Sequence, residues 1–379
     1  MPEQHALLSA SSSHRWLHCP PSARLTEHMS NKSSEFAAQG TDAHTLGEYK
    51  LKTLLGIAAE NPIPNLKYYD EEMEECTTAY ATFVMEELAK AKAMTADPIV
   101  IVEQRLDYSK YVPEGFGTGD SLIIADGTLS IIDLKYGNLI VDAQDNPQMM
   151  CYAIGAIEQF DGIYDIQKVK MAIFQPRRET ISTYELTKEQ LVSWAENTLK
   201  PTAEFAFKGE GEFVSGSWCR WCLAKNSCRA RAEHNLALAK HEFKPPTLLS
   251  DDEIEDVLAK VDGLVLWTND VKAYALEQAL SGKNWSHFKL VNGRSTRKYT
   301  NDNDVVSVVI KAGYDPYDKK LLGITAMTKS LGKAKFDELL SDYIIKPPGK
   351  LTLVTNDDKR QAVTINNVNE EFNNLTEDQ

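Results

Sequence analysis

The sequence predicts an α/β protein, with a central β-sheet flanked by helices and then a mostly helical C-terminal region. Three observations carry that expectation. Between residues 34 and 175 the apolar periodicity runs through helix, three strands, helix and strand. Asp126-Gly127 falls between two apolar runs, where a hairpin turn would join them. After Lys244-Pro245-Pro246 the periodicity becomes helical.

Each element has its own signal. Residues 34–55 read as a helix with His44 about midway, capped by Ser33 or Ser34 and ended by Gly56. Residues 69–94 read as a second helix. Strand-like runs follow at 99–108, 117–125 and 128–135. Residues 145–160 are helical, 169–175 and 181–186 are strands, and 186–207 return to helix. Ser250-Asp251-Asp252-Glu253 then caps a long helix reaching about Leu280. Short helical pieces are expected around 305–312 and 325–340, and the Asn-, Asp- and Glu-rich tail from Asn356 reads as loose. The domains expected are therefore 1–245, 246–355 and a tail, 356–379.

Composition narrows the classes. A chain of 379 residues with 42% hydrophobic and 25% charged residues has the make-up of a soluble globular protein with a large core. No apolar run approaches the roughly 20 residues that cross a bilayer. Met1-Pro2-Glu3-Gln4-His5 lacks the basic and apolar regions of a signal peptide, so a cytoplasmic location is expected. The net charge of −14 argues against unselective coating of nucleic acid. Two stretches are nevertheless basic: Arg220, Lys225, Arg229 and Arg231, and further on Lys283, Lys289, Arg294, Arg297 and Lys298. Either is a solvated surface or a phosphate contact.

The chemistry concentrates in a few short segments. Gly119-Asp120 lies near the start of one strand-like run, and Asp133-Leu134-Lys135 ends the next. Alternate side chains of a strand share a face, so Asp133 and Lys135 point the same way, and the hairpin would bring Asp120 beside them. Two carboxylates and an ammonium on one face suit a hard divalent cation with a cationic helper. Gln148 and Tyr152 lie one helical turn apart. Taken singly, each of these is also an ordinary strand end or helix face.

Together they resemble the PD-(D/E)XK nuclease superfamily, in particular its RecB/AddB-like branch, which includes iron–sulfur nucleases and many phage relatives. Gly40-Thr41-Asp42-Ala43-His44 resembles the upstream helix motif, Gly117-Thr118-Gly119-Asp120 the first-acid motif, Asp133-Leu134-Lys135 the D/E-x-K, and Gln148-Met149-Met150-Cys151-Tyr152 the Q-x-x-x-Y helix. The likeness covers about residues 11–232. It departs from the literal Pro-Asp pair, since Gly119 precedes Asp120. The fold it implies is restriction-endonuclease-like, with a mixed central sheet between helices.

The resemblance implies a metal-dependent DNA nuclease of phage or prophage type. Mg2+ or Mn2+ would be held by His44, Asp120, Asp133 and the Leu134 carbonyl. Lys135 would orient water or stabilise phosphate charge, and Gln148 and Tyr152 would bind the DNA backbone or brace Lys135. Glu103 would serve around the metal or at a second one. An exonuclease or end-processing enzyme acting on DNA ends or single strands is expected. A structure-selective endonuclease and a non-catalytic DNA-binding assembly subunit are the alternatives. No phosphate-binding loop of the Gly-x-x-x-x-Gly-Lys-Ser/Thr type is present, so any helicase would be a separate partner.

Cysteines form a second constellation. Cys219-x-x-Cys222 lets two thiolates reach one metal centre, with Cys228 close behind and Cys19 two hundred residues upstream of Cys219. The spacing resembles the four-cysteine [4Fe–4S] site of AddB-type nucleases, and Zn2+ on the same thiolates is the alternative. Cys76 and Cys151 read as buried apolar thiols. Arg15 and Trp16, just before Cys19, would either contact a DNA strand end or, for Trp16, pack in the core.

Overall fold

A computed structural model describes residues 6–29, 35–125, 127–237, 250–291, 301–317 and 321–345. The N-terminal segment forms two short helices, α1 (Ser13–His18) and α2 (Ser22–Thr26). Two long helices follow, α3 (Glu35–Leu54) and α4 (Glu71–Met94). Strands β1 (Ile99–Asp107), β2 (Phe116–Ala125) and β3 (Thr128–Leu134) lead into α5 (Pro147–Tyr164), then β4 (Lys168–Gln175) and β5 (Thr180–Thr187). Next come α6 (Lys188–Trp194), a π-helical turn at Ala195–Leu199, α7 (Lys200–Lys208), α8 (Arg229–Leu236) and α9 (Asp251–Leu280). The helices α10 (Asp302–Lys311), α11 (Ile324–Leu331) and α12 (Lys333–Leu340) complete the described chain.

The five strands lie in sequence order and form a mixed sheet. β3 and β4 are parallel, because α5 carries the chain back between them, while the other neighbours are antiparallel. Strand alternation divides the core. Leu122, Ile124, Leu129 and Ile131 pack with α5 on one face. Ile123, Ala125, Ile132 and Leu134 pack with Tyr80, Val84 and Leu88 of α4 and Leu51 of α3 on the other. The sheet is therefore covered on both sides, which is why Leu122-Ile123-Ile124-Ala125 of β2 and Ile131-Ile132 of β3 put apolar side chains on both faces.

Local signals explain the ends. Gly56 has φ +73, and the amides of Gly56 and Ile57 bond back to the Thr53 and Lys52 carbonyls, the double closure of a Schellman turn. Asp70 caps α4 by accepting from the Met73 amide at 2.8 Å. Asn146 caps α5, with Pro147 at its first position. Ser250 and Glu253 form the expected capping box of α9. Gly127 has φ +70 in the β2–β3 turn; Asp126, Ser33 and Ser34 lie outside the described residues.

Three expectations change. The boundary at Lys244-Pro245-Pro246 lies outside the described residues, but α9 groups with the first compact unit, residues 1–281, and the second unit is 282–379. The reason is ionic: Asp270 of α9 accepts Arg231 at 2.7 Å and Lys225 at 2.9 Å. Those contacts also correct the first basic stretch, half of whose cations are matched by this one acid. Of the second stretch, Arg294, Arg297 and Lys298 lie outside the described residues, as does the tail from Asn356. Cys151 is buried as expected, but Cys76 is only half-buried. Among the described residues no helix is long and apolar enough to cross a membrane.

Candidate functional site

Residues far apart in sequence meet near the C-terminal end of β3. Asp133 shares its strand face with Leu129 and Ile131, so its side chain lies on the α5 side, where burial leaves it 2% exposed. One oxygen, Oδ2, lies 2.8 Å from Lys135 Nζ but takes no well-directed hydrogen bond. The other, Oδ1, accepts from Gln148 Nε2 at 3.4 Å, and the same amide donates to Tyr152 Oη at 3.0 Å. Asp120 Oδ2 accepts the Leu134 amide at 2.7 Å and stands 3.2 Å from His44 Nδ1. Hydrogen bonds and ion pairs work at such ranges, so the geometry brings His44, Asp120, Asp133, Leu134, Lys135, Gln148 and Tyr152 into one neighbourhood.

Close packing makes this possible. A Cβ on Gly117 would sit 2.7 Å from the Tyr152 ring, so the first glycine of Gly117-Thr118-Gly119-Asp120 lets α5 seat Tyr152 over β2. A Cβ on Gly47 would meet Tyr80 at 3.2 Å and Leu134 at 3.4 Å. That glycine, about one turn beyond His44, lets α3 approach the sheet.

Glu103 is the feature whose register the sequence left open. In the β1–β2 ladder its neighbours Val102 and Gln104 face Ser121 and Gly119, which puts Glu103 opposite Asp120. Its φ is +54, a left-handed conformation that a glutamate in mid-strand adopts only at a cost of order 1–3 kcal/mol. Ligand atoms of His44, Glu103 and Asp120 lie within 4.8 Å of one another. One signal pointed this way: an acid directly following the apolar run Ile99-Val100-Ile101-Val102 within the same strand.

Electrostatics follow from crowding. Burial and the Asp120 charge push Glu103 up to about 8. Burial alone would lower His44, but the Asp120 carboxylate outweighs it and raises the imidazole to about 9. Asp120 is correspondingly held below the usual carboxylate range, since His44 overcomes the penalty of burial. Asp133 is raised, burial and Asp120 prevailing over Lys135. The two acids are thus pushed apart, as expected of neighbouring carboxylates in a dry site. An excess of acid around two cations, an oxygen without a directed hydrogen bond and a neutral Glu103 form a donor set that suits a hard divalent cation.

The cysteines also converge. Cys19, Cys219, Cys222 and Cys228 line one small cavity with Arg15, Lys225 and Arg231. Burial raises the Cys19 and Cys222 thiols, opposed by backbone amides of Val214 and Ser22 on Cys19 and of Ala224 on Cys222. The Gly216 amide donates to Cys219 Sγ at 3.5 Å. Amides aimed at sulfur suit thiolates holding a metal or a cluster. Arg15 is spent internally, on the Ser22 carbonyl and Thr26 hydroxyl at 2.8 Å each. Trp16 is fully buried and bonds Ser9 O, so core packing is its role. The His18 ring stacks on Trp218 at 4.3 Å and Asp270 closes the basic side; neither had a local sequence signal.

Fold and site together define a class: a mixed α/β protein with a histidine–carboxylate–lysine group near the end of a parallel strand and a four-cysteine cavity. The model of the family DUF2800, proteins of unknown function, matches residues 5–361, and the chain belongs to that family. A solved crystal structure of SSO0001 is similar at 15% identity, covering 51% of this chain and 98% of its own, with a TM-score of 0.23, and carries no further argument.

Proposed function

We propose that the protein is a metal-dependent DNA nuclease of the PD-(D/E)XK, RecB/AddB-like kind, acting on DNA ends or single strands. The observation that carries this reading is the meeting of His44, Glu103 and Asp120 within 4.8 Å, with the Asp133–Lys135 pair beside them. Asp120, Asp133, His44, Glu103 and the Leu134 carbonyl would hold Mg2+ or Mn2+. Such a cation supplies acidification of a water and neutralisation of phosphate charge.

The chain's own residues do the rest. Lys135 keeps its ammonium beside Asp133, where it can donate to a phosphate oxygen as negative charge develops. Gln148 positions the Asp133 carboxylate and orients Tyr152 by its second contact. Glu103, whose carboxyl is pushed up to about 8 by burial and the Asp120 charge, would give up its proton on binding a cation.

The four cysteines, which line one cavity, would hold a [4Fe–4S] cluster, with Zn2+ as the alternative, in a structural role that would tie Cys19 to the segment after the sheet. Anaerobic protein should then be brown and absorb near about 400 nm. A cytoplasmic place in phage or prophage recombination or replication, with any motor supplied by a partner, completes the reading.

Labelled linear DNA incubated with Mg2+ or Mn2+, against an EDTA control, tests it. Metal-dependent shortening of linear DNA is expected, with closed circular DNA spared by an end-dependent enzyme. Intact linear DNA under both metals would overturn the nuclease reading.

A further inference from the structure

The loop joining Lys135 to α5 shows two apolar side chains to solvent next to the candidate site. Its backbone is pinned from below by Gln175, only 1% exposed, whose Nε2 donates to Leu139 O at 2.7 Å and whose Oε1 accepts from Val141 N at 2.8 Å. Ser182 Oγ accepts from Ala143 N at 2.9 Å, and Asn146 Nδ2 donates to Asp142 O at 2.9 Å. Between these anchors the side chains of Leu139 and Ile140 stand 42% and 69% exposed.

Single exposed aliphatics are ordinary on any surface. Here two are adjacent, and a buried amide grips the backbone on both sides of Ile140. The loop begins at Lys135 and ends at the helix that carries Gln148 and Tyr152. Residues 136–146 contain no lysine or arginine and two aspartates, so the loop is unsuited to phosphates. Apolar side chains fixed on such a loop match the faces of bases, as apolar wedges do when they part base steps.

We infer that Leu139 and Ile140 form a wedge that packs against the terminal base pair of a DNA duplex and unstacks it, freeing one strand for the site beside Lys135. This rests on the nuclease reading for its consequence, but the wedge acts before any bond is cut. Leu139 and Ile140 set substrate preference and Gln175 is a positioning residue.

The test uses the full chain and a blunt duplex carrying 2-aminopurine at its last pair, in Ca2+ so that binding is read apart from cleavage. Wild type should raise the terminal fluorescence several-fold on binding, and the double variant L139A/I140A should lose most of that rise. Its melting temperature should hold, because both side chains are exposed. In Mg2+ or Mn2+ the ratio of duplex to single-strand cleavage should fall about ten-fold or more in the double variant, and Gln175→Ala should lower it in the same direction. An equal fluorescence rise in the double variant, no rise with wild type even at saturation, or no binding of the duplex overturns the wedge. So does a change of oligomeric state in L139A/I140A, which would make the pair an interface between copies. A fluorescence rise without cleavage sustains the wedge while the nuclease reading fails. Cleavage with an unchanged ratio does the reverse.

Discussion

In the metal-free protein His44 is raised to about 9 and Glu103 to about 8, against ordinary values of 6.5 and 4.5. Both groups bind more protons in the folded state, so both make stability fall as pH rises. For His44, the stabilising pairing with Asp120 is fully present below pH 6.5 and lost as pH rises through about 9. For Glu103, the cost of burying a charge appears between pH 4.5 and about 8. The melting temperature of metal-free protein should therefore decline between pH 5 and 9. The rise produced by Mn2+ should grow over the same range, because cation binding expels those protons. Glu103→Gln should flatten the lower part of the decline; an unchanged melting profile in that variant would contradict the register that sets Glu103 opposite Asp120.

Asp133→Ala and Lys135→Ala should each reduce metal-dependent cleavage by about a hundred-fold or more, since Asp133 would hold the cation and Lys135 would meet the negative charge developing on the phosphate. Wild-type rates in folded variants, checked by circular dichroism, would remove them from the site. His44→Ala should weaken metal use more in Mg2+ than in Mn2+, read as the half-saturating concentration of each ion. Tyr152→Phe keeps the ring that fills the space over Gly117 and removes only the Gln148 partner, so it should slow cleavage less than Lys135→Ala.

At the scale of elements, two glycines set the distances between layers. Gly117→Ala would push a methyl into the Tyr152 ring, which is held by the packed α5. Denaturant unfolding should show a loss of about 1–3 kcal/mol, as overpacking does. The secondary structure itself was legible, because β2 and β3 are apolar on both faces and α3, α5 and α9 carry capping or closing residues. Observed ends differ by one to four residues where the cap lies elsewhere. Asn146 with Pro147 starts α5 after Asp145, and Asp70 starts α4 after Tyr69. The domain boundary was not legible, because what attaches α9 to the first unit is Asp270, an acid unremarkable in its own helix.

For the whole molecule, a cluster or Zn2+ held in the cysteine cavity would tie the segment before α3 to the segment after α7, closing a chain of about two hundred residues. Constraining so long a loop restricts the unfolded chain strongly. Cys19→Ser should therefore lower iron or zinc content, measured by elemental analysis, and depress the melting temperature, with activity falling as a consequence. Unchanged metal content and melting temperature would return Cys219-x-x-Cys222 to a local site or plain thiols.

The sequence by itself determined the helices and strands, the pairing of Asp133 with Lys135 on one strand face, and the candidate roles of His44, Asp120, Gln148, Tyr152 and the four cysteines. The elements and the shared strand face follow from local periodicity and turn chemistry, which act within a few residues of the chain, whereas the candidate roles are what the resemblance of the motifs implies. Only the tertiary structure decided that Glu103 lies across from Asp120 in a left-handed conformation, that Lys225 and Arg231 are claimed by Asp270, and that Leu139 and Ile140 stand exposed on a pinned loop. Strand register, ion pairing and exposure depend on which distant segments come to lie together, and they are set when the layers pack.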